Sequence, residues 1–196
     1  MLKKLPDQAR NLIQFAFWTG LRTSELIALD WADIDFSREC VKVYKAMTSA
    51  ARGKAEDTKT RASRREVKIL APALAALNAQ KKYTFLLESS AIFHNPSTHK
   101  RWDGDEQIRR TWKSAVKHAE ARYRRPYQTR HTYASMMLSA GEHPMWVAQQ
   151  MGHSDWTMIA RRYGRWMPSA DKEAGKKAVA IFAKKMLSEC CHSDQK

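Results

Sequence analysis

Apolar residues recur at helical spacing near the start of the chain, at Ala9, Leu12, Ile13, Ala16 and Phe17. Pro6 and Asp7 suit the first turn of this helix, because a missing N–H and a negative charge are both favourable there. Gly20 is a typical residue for the position just after a helix ends. We expect a short second helix to follow, with Thr23 or Ser24 as its N-cap.

The next part of the chain predicts a β-hairpin. Val41 and Val43 alternate with polar residues, as do Val67 and Ile69, and this alternation indicates two antiparallel strands. The segment between them is polar and rich in lysine and arginine, so we expect a long loop there. A helix is predicted after the second strand, over Pro72–Ala79.

Glycine and proline divide the second half of the chain into short segments. An apolar stretch over 85–93 fits either a helix or a strand, and Asn-Pro and Asp-Gly pairs predict a loop over 94–105. Helices are predicted over about 106–122, 128–139, 144–152, 155–162 and 169–187. The expected fold class is α+β, mostly α-helical with a small antiparallel β-sheet. We expect one domain over 1–168, followed by a basic helix and tail over 169–196.

Composition narrows the class of function. The 196 residues include 35 Lys and Arg against 20 Asp and Glu, which gives a net charge of +15 and indicates a polyanionic partner such as nucleic acid. A hydrophobic content of 43% excludes a disordered basic tail. Three cysteines exclude a disulfide framework, and neither a membrane-length apolar run nor a signal peptide is present. We therefore expect a cytoplasmic, nucleoid-associated protein without membrane contact.

The excess positive charge is concentrated in two segments. Residues 52–68 contain seven basic and three acidic residues, and residues 109–125 contain seven basic residues and one acidic residue. Two such dense clusters on a basic domain favour contact with phosphates over a merely solvated surface. The residues expected to bind DNA are Arg61, Arg64, Arg65, Arg124 and Arg125.

The sequence lacks the motifs of nucleotide hydrolysis and of metal binding. Neither GxxxxGK[ST] nor GxGxxG occurs. Asp30, Asp33 and Asp35 could hold a metal ion, but helix capping and turn formation explain them more simply. Cys190–His192 lacks a second pair of ligands at a recognised spacing. We therefore expect no metal and no cofactor.

Four short patterns occur in a fixed order: TGLRTSEL (19–26), DTKTRASRREV (57–67), PYQTRHTYAS (126–135) and MGHSDWTMIARRYGRW (151–166). Together they resemble the tyrosine recombinases, the phage-integrase family, from the first helix to about Met167. The resemblance implies the catalytic-domain fold of that family. It also implies a site-specific recombinase that cuts and rejoins double-stranded DNA through a 3′-phosphotyrosine, integrating or excising a phage or other mobile element.

The resemblance assigns the central reacting groups. Tyr163 corresponds to the nucleophile, which stays covalently attached to the cut strand. Arg22 and Arg130 correspond to the two arginines that bind the scissile phosphate. A guanidinium suits this role because it is planar, always charged and able to hold two phosphate oxygens at once.

Two further roles follow from the same resemblance. Lys59 corresponds to the hairpin lysine that donates a proton to the leaving 5′ oxygen. Lys54 and Arg61 are rivals for that role, and the Thr58-Lys59-Thr60 context favours Lys59. His153 corresponds to the histidine that hydrogen-bonds the scissile phosphate.

The sequence departs from the family pattern at two points. Tyr127 stands three residues before Arg130, where the family usually has histidine, and a phenol is a poor base at pH 7. We expect Tyr127 to contact the phosphate or the nucleophile without acting as a base, and His131 to pack or to cap a helix. His153 and Tyr163 are ten residues apart, one more than the common spacing, so we expect an extra residue in the intervening turn.

The family's N-terminal DNA-clamping domain is expected to be absent from this chain, which would then be an excised catalytic domain or an unusually short recombinase. We expect a homotetramer on DNA and a monomer or weak oligomer in solution. The helix over 169–187 either docks on a neighbouring protomer or packs on its own domain. Two alternative functions are DNA relaxation of the type IB topoisomerase kind and non-catalytic DNA binding on the same scaffold.

Overall fold

The computed structural model describes residues 2–47, 56–57 and 64–167, together with residues 176 and 179. The α-helices within these ranges are α1 (Asp7–Thr19), α2 (Thr23–Ala28), α3 (Ala71–Thr84), α4 (Asp105–His118), α5 (Gln128–Ser139), α6 (Pro144–Met151) and α7 (Thr157–Tyr163). The strands are β1 (Ile34–Asp35), β2 (Cys40–Val43), β3 (Lys45–Ala46), β4 (Glu56–Asp57) and β5 (Arg65–Lys68). The predicted fold class, mostly α-helical with a small antiparallel sheet, is confirmed.

The strands form the predicted hairpin. β2 pairs with β1 on one side and with β5 on the other, both antiparallel, and Val41 lies opposite Val67. β3 and β4 form a second antiparallel pair. Lys59, with its rivals Lys54 and Arg61, lies in the segment between β3 and β5 but outside the described residues.

Two hydrophobic clusters make up the described core. The larger cluster joins α1, α2, α3, α4 and the three-stranded sheet, with Phe15 and Phe93 in ring contact at 5.5 Å. The smaller cluster joins α5, α6 and α7 around residues such as Tyr133 and Val147. Trp18 of α1 packs against both clusters. The end of α1 therefore lies next to the helices that carry the last two sequence patterns.

Several element boundaries differ from the prediction. α2 begins after Arg22, not after a Thr23 or Ser24 cap, because the Glu25 carboxylate accepts the Arg22 backbone N–H at 2.8 Å. α3 continues beyond Ala79 to Thr84, and α4 ends at His118, before the predicted 122. Residues 85–93 form neither a helix nor a strand, apart from an isolated bridge at Ala91. The helix predicted over 169–187 lies outside the described residues, apart from two positions.

Gly20 is required where α1 turns toward α2. Its φ is +64°, and a Cβ at this position would lie 2.5 Å from Cδ1 of Tyr133 on α5. Gly20→Ala combines left-handed strain with a clash in the core, so we expect it to destabilise the fold by about 3 kcal/mol. Chemical denaturation measures this loss. Gly141→Ala is the matched control, since its φ is +87° with no atom within 4 Å, and it is expected to cost about 1 kcal/mol.

Candidate active site

A buried carboxylate holds two arginines at the start of α2. Glu25 is only 1% exposed, and its oxygens accept from the Arg22 Nη1 at 2.8 Å and from the two Arg65 terminal nitrogens at 3.1 and 3.0 Å. Arg65 also donates to the Gln150 carbonyl at 2.7 Å. The Arg22 side chain stays one-third exposed, so part of it remains open to solvent beside the buried carboxylate.

Arg130 ties the end of α1 to the end of α6. The residue is 2% exposed, and its guanidinium donates to the carbonyl of Gly20 at 2.6 Å and to that of Met151 at 2.5 Å. Burial, together with the charge of Arg22, lowers the pKa of Arg130 to about 10, so it stays cationic at neutral pH. Two buried carbonyls thus fix a cation close to Arg22.

His153 follows the turn that ends α6. Gly152 has a φ of +69°, and a Cβ there would lie 2.9 Å from the Arg65 guanidinium, so the Gly-His step needs glycine. The His153 Nε2 lies 3.3 Å from the Arg130 Nη2. Burial, and then the charges of Arg130 and Arg22, lower the pKa of His153 to about 4. The ring is therefore neutral at pH 7.

Tyr163 ends α7 and is buried, with 4% of its surface exposed. Its ring contacts those of His131 and Trp166, each at a centroid distance of 5.9 Å. Burial raises the pKa of the phenol, while the charges of Arg162 and Arg130 oppose that rise. The predicted nucleophile therefore lies within the electrostatic influence of the arginine that was predicted to bind phosphate.

His131 contacts the hydroxyl group of Tyr163. Its Nδ1 lies 2.5 Å from the Tyr163 Oη, so this residue packs as expected but also meets the hydroxyl of the predicted nucleophile. The exposed ring of Tyr127 meets His131 edge-on at 5.3 Å. Tyr127 and His131 are four residues apart at the start of α5. This spacing places both side chains on one helix face, so the sequence could have predicted the contact between them.

The residues expected to bind DNA fall into different environments. Arg64, Arg124 and Arg125 are exposed, and Arg61 lies outside the described residues. Arg65 was predicted to contact DNA, but only 7% of its side chain is exposed and its guanidinium is engaged with Glu25 and Gln150. In the structure, Arg65 therefore shares the Glu25 carboxylate with Arg22.

An open cleft lies beside the arginines. It has a volume of about 430 Å³ and runs between α2, the start of α4 and the segment before α5. Its polar lining includes Arg22, Arg109, Arg125 and Tyr127. Each of these three segments thus contributes an arginine to the lining, and Arg22 is the one predicted to bind the scissile phosphate.

The three aspartates that could hold a metal ion by sequence have other partners in the structure. Asp30 is ion-paired with Lys45 and Arg101, and Asp33 lies 2.9 Å from the Lys45 Nζ. Asp35 accepts from Ser37 in the turn after β1. Over the described ranges, no three histidine, cysteine or acidic side chains are grouped so that they could hold a metal ion. Nor does any helix there combine the length and apolarity needed to cross a membrane.

Glu25→Gln is expected to weaken the fold at neutral pH. Burial alone raises the pKa of the carboxyl, but the hydrogen bonds and charges of Arg65 and Arg22 outweigh it, so the pKa lies below the usual 4.5. A carboxylate with a lowered pKa stabilises the fold above its unfolded pKa and loses that contribution as pH falls through its folded pKa. Removing the charge leaves two arginines without their partner, at a cost of about 3 kcal/mol.

Denaturation of Glu25→Gln and the wild type from pH 7 down to pH 2 measures this effect. The stability difference should be largest at pH 7 and shrink below about pH 4.5. Glu66→Gln, at an exposed carboxylate paired with Arg38, is the control and should change stability by less than about 1 kcal/mol. A difference between Glu25→Gln and the wild type that stays constant with pH would contradict this account.

Arg22 thus acts electrostatically on Arg130, and Arg130 acts on both the neutral His153 ring and the buried Tyr163 phenol. The sequence profile of the phage integrase family matches residues 2–168, and the chain belongs to that family.

Two curated relatives illustrate the similarity. The prophage integrase IntR of Escherichia coli (strain K12) is 34% identical over 194 residues, covering 88% of this chain and 47% of IntR. The integrase of Salmonella phage P22 is 26% identical over 190 residues, covering 93% of this chain and 45% of the phage protein. This chain thus spans about half the length of these relatives.

Solved structures share the fold. The Tn1549 transposon integrase, in complex with circular intermediate DNA, superposes with a TM-score of 0.68 at 19% identity, covering 87% of this chain and 58% of that one. The catalytic domain of bacteriophage HP1 integrase gives a TM-score of 0.52 at 18% identity, covering 88% and 81%. The second match shows that the catalytic domain of the HP1 integrase shares the architecture described here.

Proposed function

We propose that residues 1–168 are the catalytic domain of an integrase, a site-specific recombinase that cuts and rejoins double-stranded DNA through a 3′-phosphotyrosine. The observation that carries the proposal is the position of the Tyr163 hydroxyl, buried beside α5 within the electrostatic influence of Arg130. The names of the relatives, a prophage integrase and a phage integrase, support the movement of a phage or other mobile element.

The chemistry assigns each group a task. Tyr163 Oη attacks phosphorus, the Oη–P bond forms, and the bond from phosphorus to the 5′ oxygen breaks. Arg22 and Arg130 bind the non-bridging oxygens, where negative charge grows in the transition state. Lys59 donates a proton to the leaving 5′ oxygen. Because the phosphotyrosine keeps the energy of the broken bond, resealing needs no ATP.

The neutral ring of His153 suits a hydrogen bond to the same phosphate. Its Nε2 lies at the Arg130 guanidinium, so a phosphate held by Arg130 would come within its reach. His153 then donates one hydrogen bond without adding a third full charge to the pair of arginines. Tyr127, exposed at the cleft, offers a further hydroxyl contact.

Assembly and location belong to the same proposal. Exchange between two duplexes breaks four strands, and each break needs one nucleophilic tyrosine, which favours a homotetramer on DNA. The chain alone would be a monomer or a weak oligomer in solution. It would act in the cytoplasm of a bacterial host, at the nucleoid.

DNA affinity is expected to fall steeply with salt, because each phosphate contact releases counterions. A double variant, Arg124→Ala with Arg125→Ala, should reduce the slope of log affinity against log salt by about two, at any DNA sequence. Fluorescence anisotropy between 50 and about 200 mM salt measures the slope. Arg38→Ala, an exposed arginine paired with Glu66, should leave the slope unchanged. Equal slopes for all three proteins would contradict the proposed surface.

A nicked suicide substrate tests the proposed reaction. The short fragment that carries the new 5′ hydroxyl diffuses away after cleavage, so a covalent protein–DNA adduct should accumulate in EDTA without ATP. No adduct on any substrate would favour the non-catalytic alternative. Relaxation of supercoiled DNA without recombinant products, by the chain or by a longer protein that contains it, would favour the topoisomerase-like alternative.

A further inference from the structure

We propose that His131 is the general base of DNA cleavage, taking the proton of the Tyr163 hydroxyl as that oxygen attacks phosphorus. This inference rests on the proposed recombinase function and assigns one further catalytic residue within it. It starts from an irregularity of the chain: the position three residues before Arg130 holds Tyr127, a phenol that cannot accept a proton at neutral pH.

The geometry places a ring nitrogen directly on the reacting oxygen. His131 Nδ1 and Tyr163 Oη are 2.5 Å apart, which is within the range needed for proton transfer. The Tyr127 ring packs edge-on against the imidazole at 5.3 Å with an interplanar angle of 77°. This contact restrains the plane of the imidazole, so Tyr127 acts as a positioning residue.

The protonation state suits a base. Burial first, and then the charges of Arg162 on α7 and Arg130 on α5, lower the pKa of His131 below its usual 6.5. Among the described residues, the phenol rings of Tyr127 and Tyr163 also contact the imidazole. The imidazole is therefore neutral at pH 7 and has a lone pair to offer on Nδ1.

The other histidine of the site is less well placed. His153 Nε2 lies at the Arg130 guanidinium, 3.3 Å from its Nη2, on the phosphate-binding side. Its pKa of about 4 makes it a weak base at neutral pH. Proton acceptance therefore falls to His131, and phosphate contact to His153.

The step balances without an added reagent. As the Oη–P bond forms, the phenolic proton moves to His131 Nδ1 and gives an imidazolium, while the 5′ oxygen leaves with a proton from the acid. Resealing reverses both transfers: the attacking 5′ hydroxyl loses its proton, and the imidazolium returns one to the departing Tyr163 oxygen. The phosphate, held next to Arg130, offsets the transient positive charge on His131.

The experiment compares rates of adduct formation on the nicked substrate from pH 5 to 8. For the wild type, the rate should fall as the pH drops through the lowered pKa of His131, below the usual histidine value of 6.5, since protonated His131 cannot accept a proton. His131→Asn keeps an acceptor near the Nδ1 position but cannot take up the proton. It should be at least about 100-fold slower at pH 7.5 and should lack this low-pH fall.

A second substrate distinguishes the loss of the general base from the loss of the general acid. With sulfur in place of the bridging 5′ oxygen, the leaving thiolate needs no proton, so a defect in the acid is rescued while a defect in the base remains. The His131→Asn defect and the wild-type fall at low pH should both persist on this substrate. If the variant does not fold, the wild-type profile still tests the proposal: a rate on the sulfur substrate that does not fall at low pH would contradict a histidine base. His118→Asn, at an exposed histidine of α4, is the matched control and should behave as wild type.

Two results would overturn the inference while leaving the proposed function standing. One is a His131→Asn rate within about threefold of wild type, with the same pH profile. The other is recovery of the variant on the sulfur substrate, which would place His131 in the acid step. Failure of the wild type to form any adduct would overturn the proposed function, and the base assignment with it.

Discussion

Tyr163→Phe should form no covalent adduct with nicked DNA, at any pH and after any incubation time. The substitution removes the one oxygen that we assign to the attack on phosphorus, and no neighbouring side chain can replace it in the same position. The phenyl ring still packs against Trp166 and His131. The fold loses only one hydrogen bond, to His131, at a cost of about 1 kcal/mol.

The measurement is an adduct assay on a denaturing gel, with DNA affinity measured in parallel. Affinity should stay within about twofold of wild type, because the charged surface is untouched. Tyr83→Phe is the matched control: Tyr83 donates to Asp7 on the exposed surface of α1, and its loss should leave adduct formation unchanged. An adduct with Tyr163→Phe would mean that another residue attacks the DNA.

Arg130→Ala should lose both stability and activity. The Arg130 side chain donates hydrogen bonds to two buried carbonyls, those of Gly20 and Met151. Its removal takes this donor away from both. We expect the free energy of unfolding to fall by about 3 kcal/mol. Cleavage should slow by about 1,000-fold or more, since a cation that binds the transition state is lost as well.

Arg130→Lys separates the two effects. An ammonium can satisfy one carbonyl but cannot bridge both and still present a planar pair of donors to phosphate. Stability should therefore recover in part, while cleavage should remain at least about 100-fold below wild type. Denaturation and single-turnover adduct rates measure the two quantities. Arg110→Ala, at an exposed arginine paired with Glu106, is the control for both. Wild-type cleavage by Arg130→Lys would contradict the proposed contact with phosphate.

The local signals in the sequence were sufficient for most of the fold. Helical spacing and the Gly20 stop predicted α1 to within one or two residues, and the same reasoning gave α5 its exact limits. Alternation of Val41, Val43 and Val67 predicted the paired strands β2 and β5. These features depend on backbone propensity and on which side of an element is apolar, and both can be seen within one short window of sequence.

Contacts between distant segments could not be predicted in the same way. Arg65 lies among basic residues, and this local composition predicted a DNA contact. In the fold, however, its guanidinium donates to the carboxylate of Glu25, which is 40 positions away in the sequence. The same carboxylate accepts the backbone N–H of Arg22, so the N-cap of α2 is Arg22 and not the predicted Thr23 or Ser24. A charge cluster reports how many cations are nearby in sequence, whereas burial and pairing depend on how the elements pack.

The candidate site shows the same division. The sequence patterns named Arg22, Arg130, His153 and Tyr163. In the structure the charge of Arg22 acts on Arg130, and that of Arg130 acts on both His153 and Tyr163. Their chemical roles stay predictions, as does that of Lys59. The contact between His131 and Tyr163 joins α5 to α7 across 32 positions, and only the packing of those helices reveals it.

The most direct test of the central claim is to identify the residue that becomes linked to DNA. Wild-type adduct trapped on the nicked substrate is digested with protease and nuclease, and the modified peptide is sequenced by mass spectrometry. The account predicts a 3′-phosphonucleotide on Tyr163. A nucleotide on any other residue, for example Tyr127, or a linkage through the 5′ end of the strand, would contradict it.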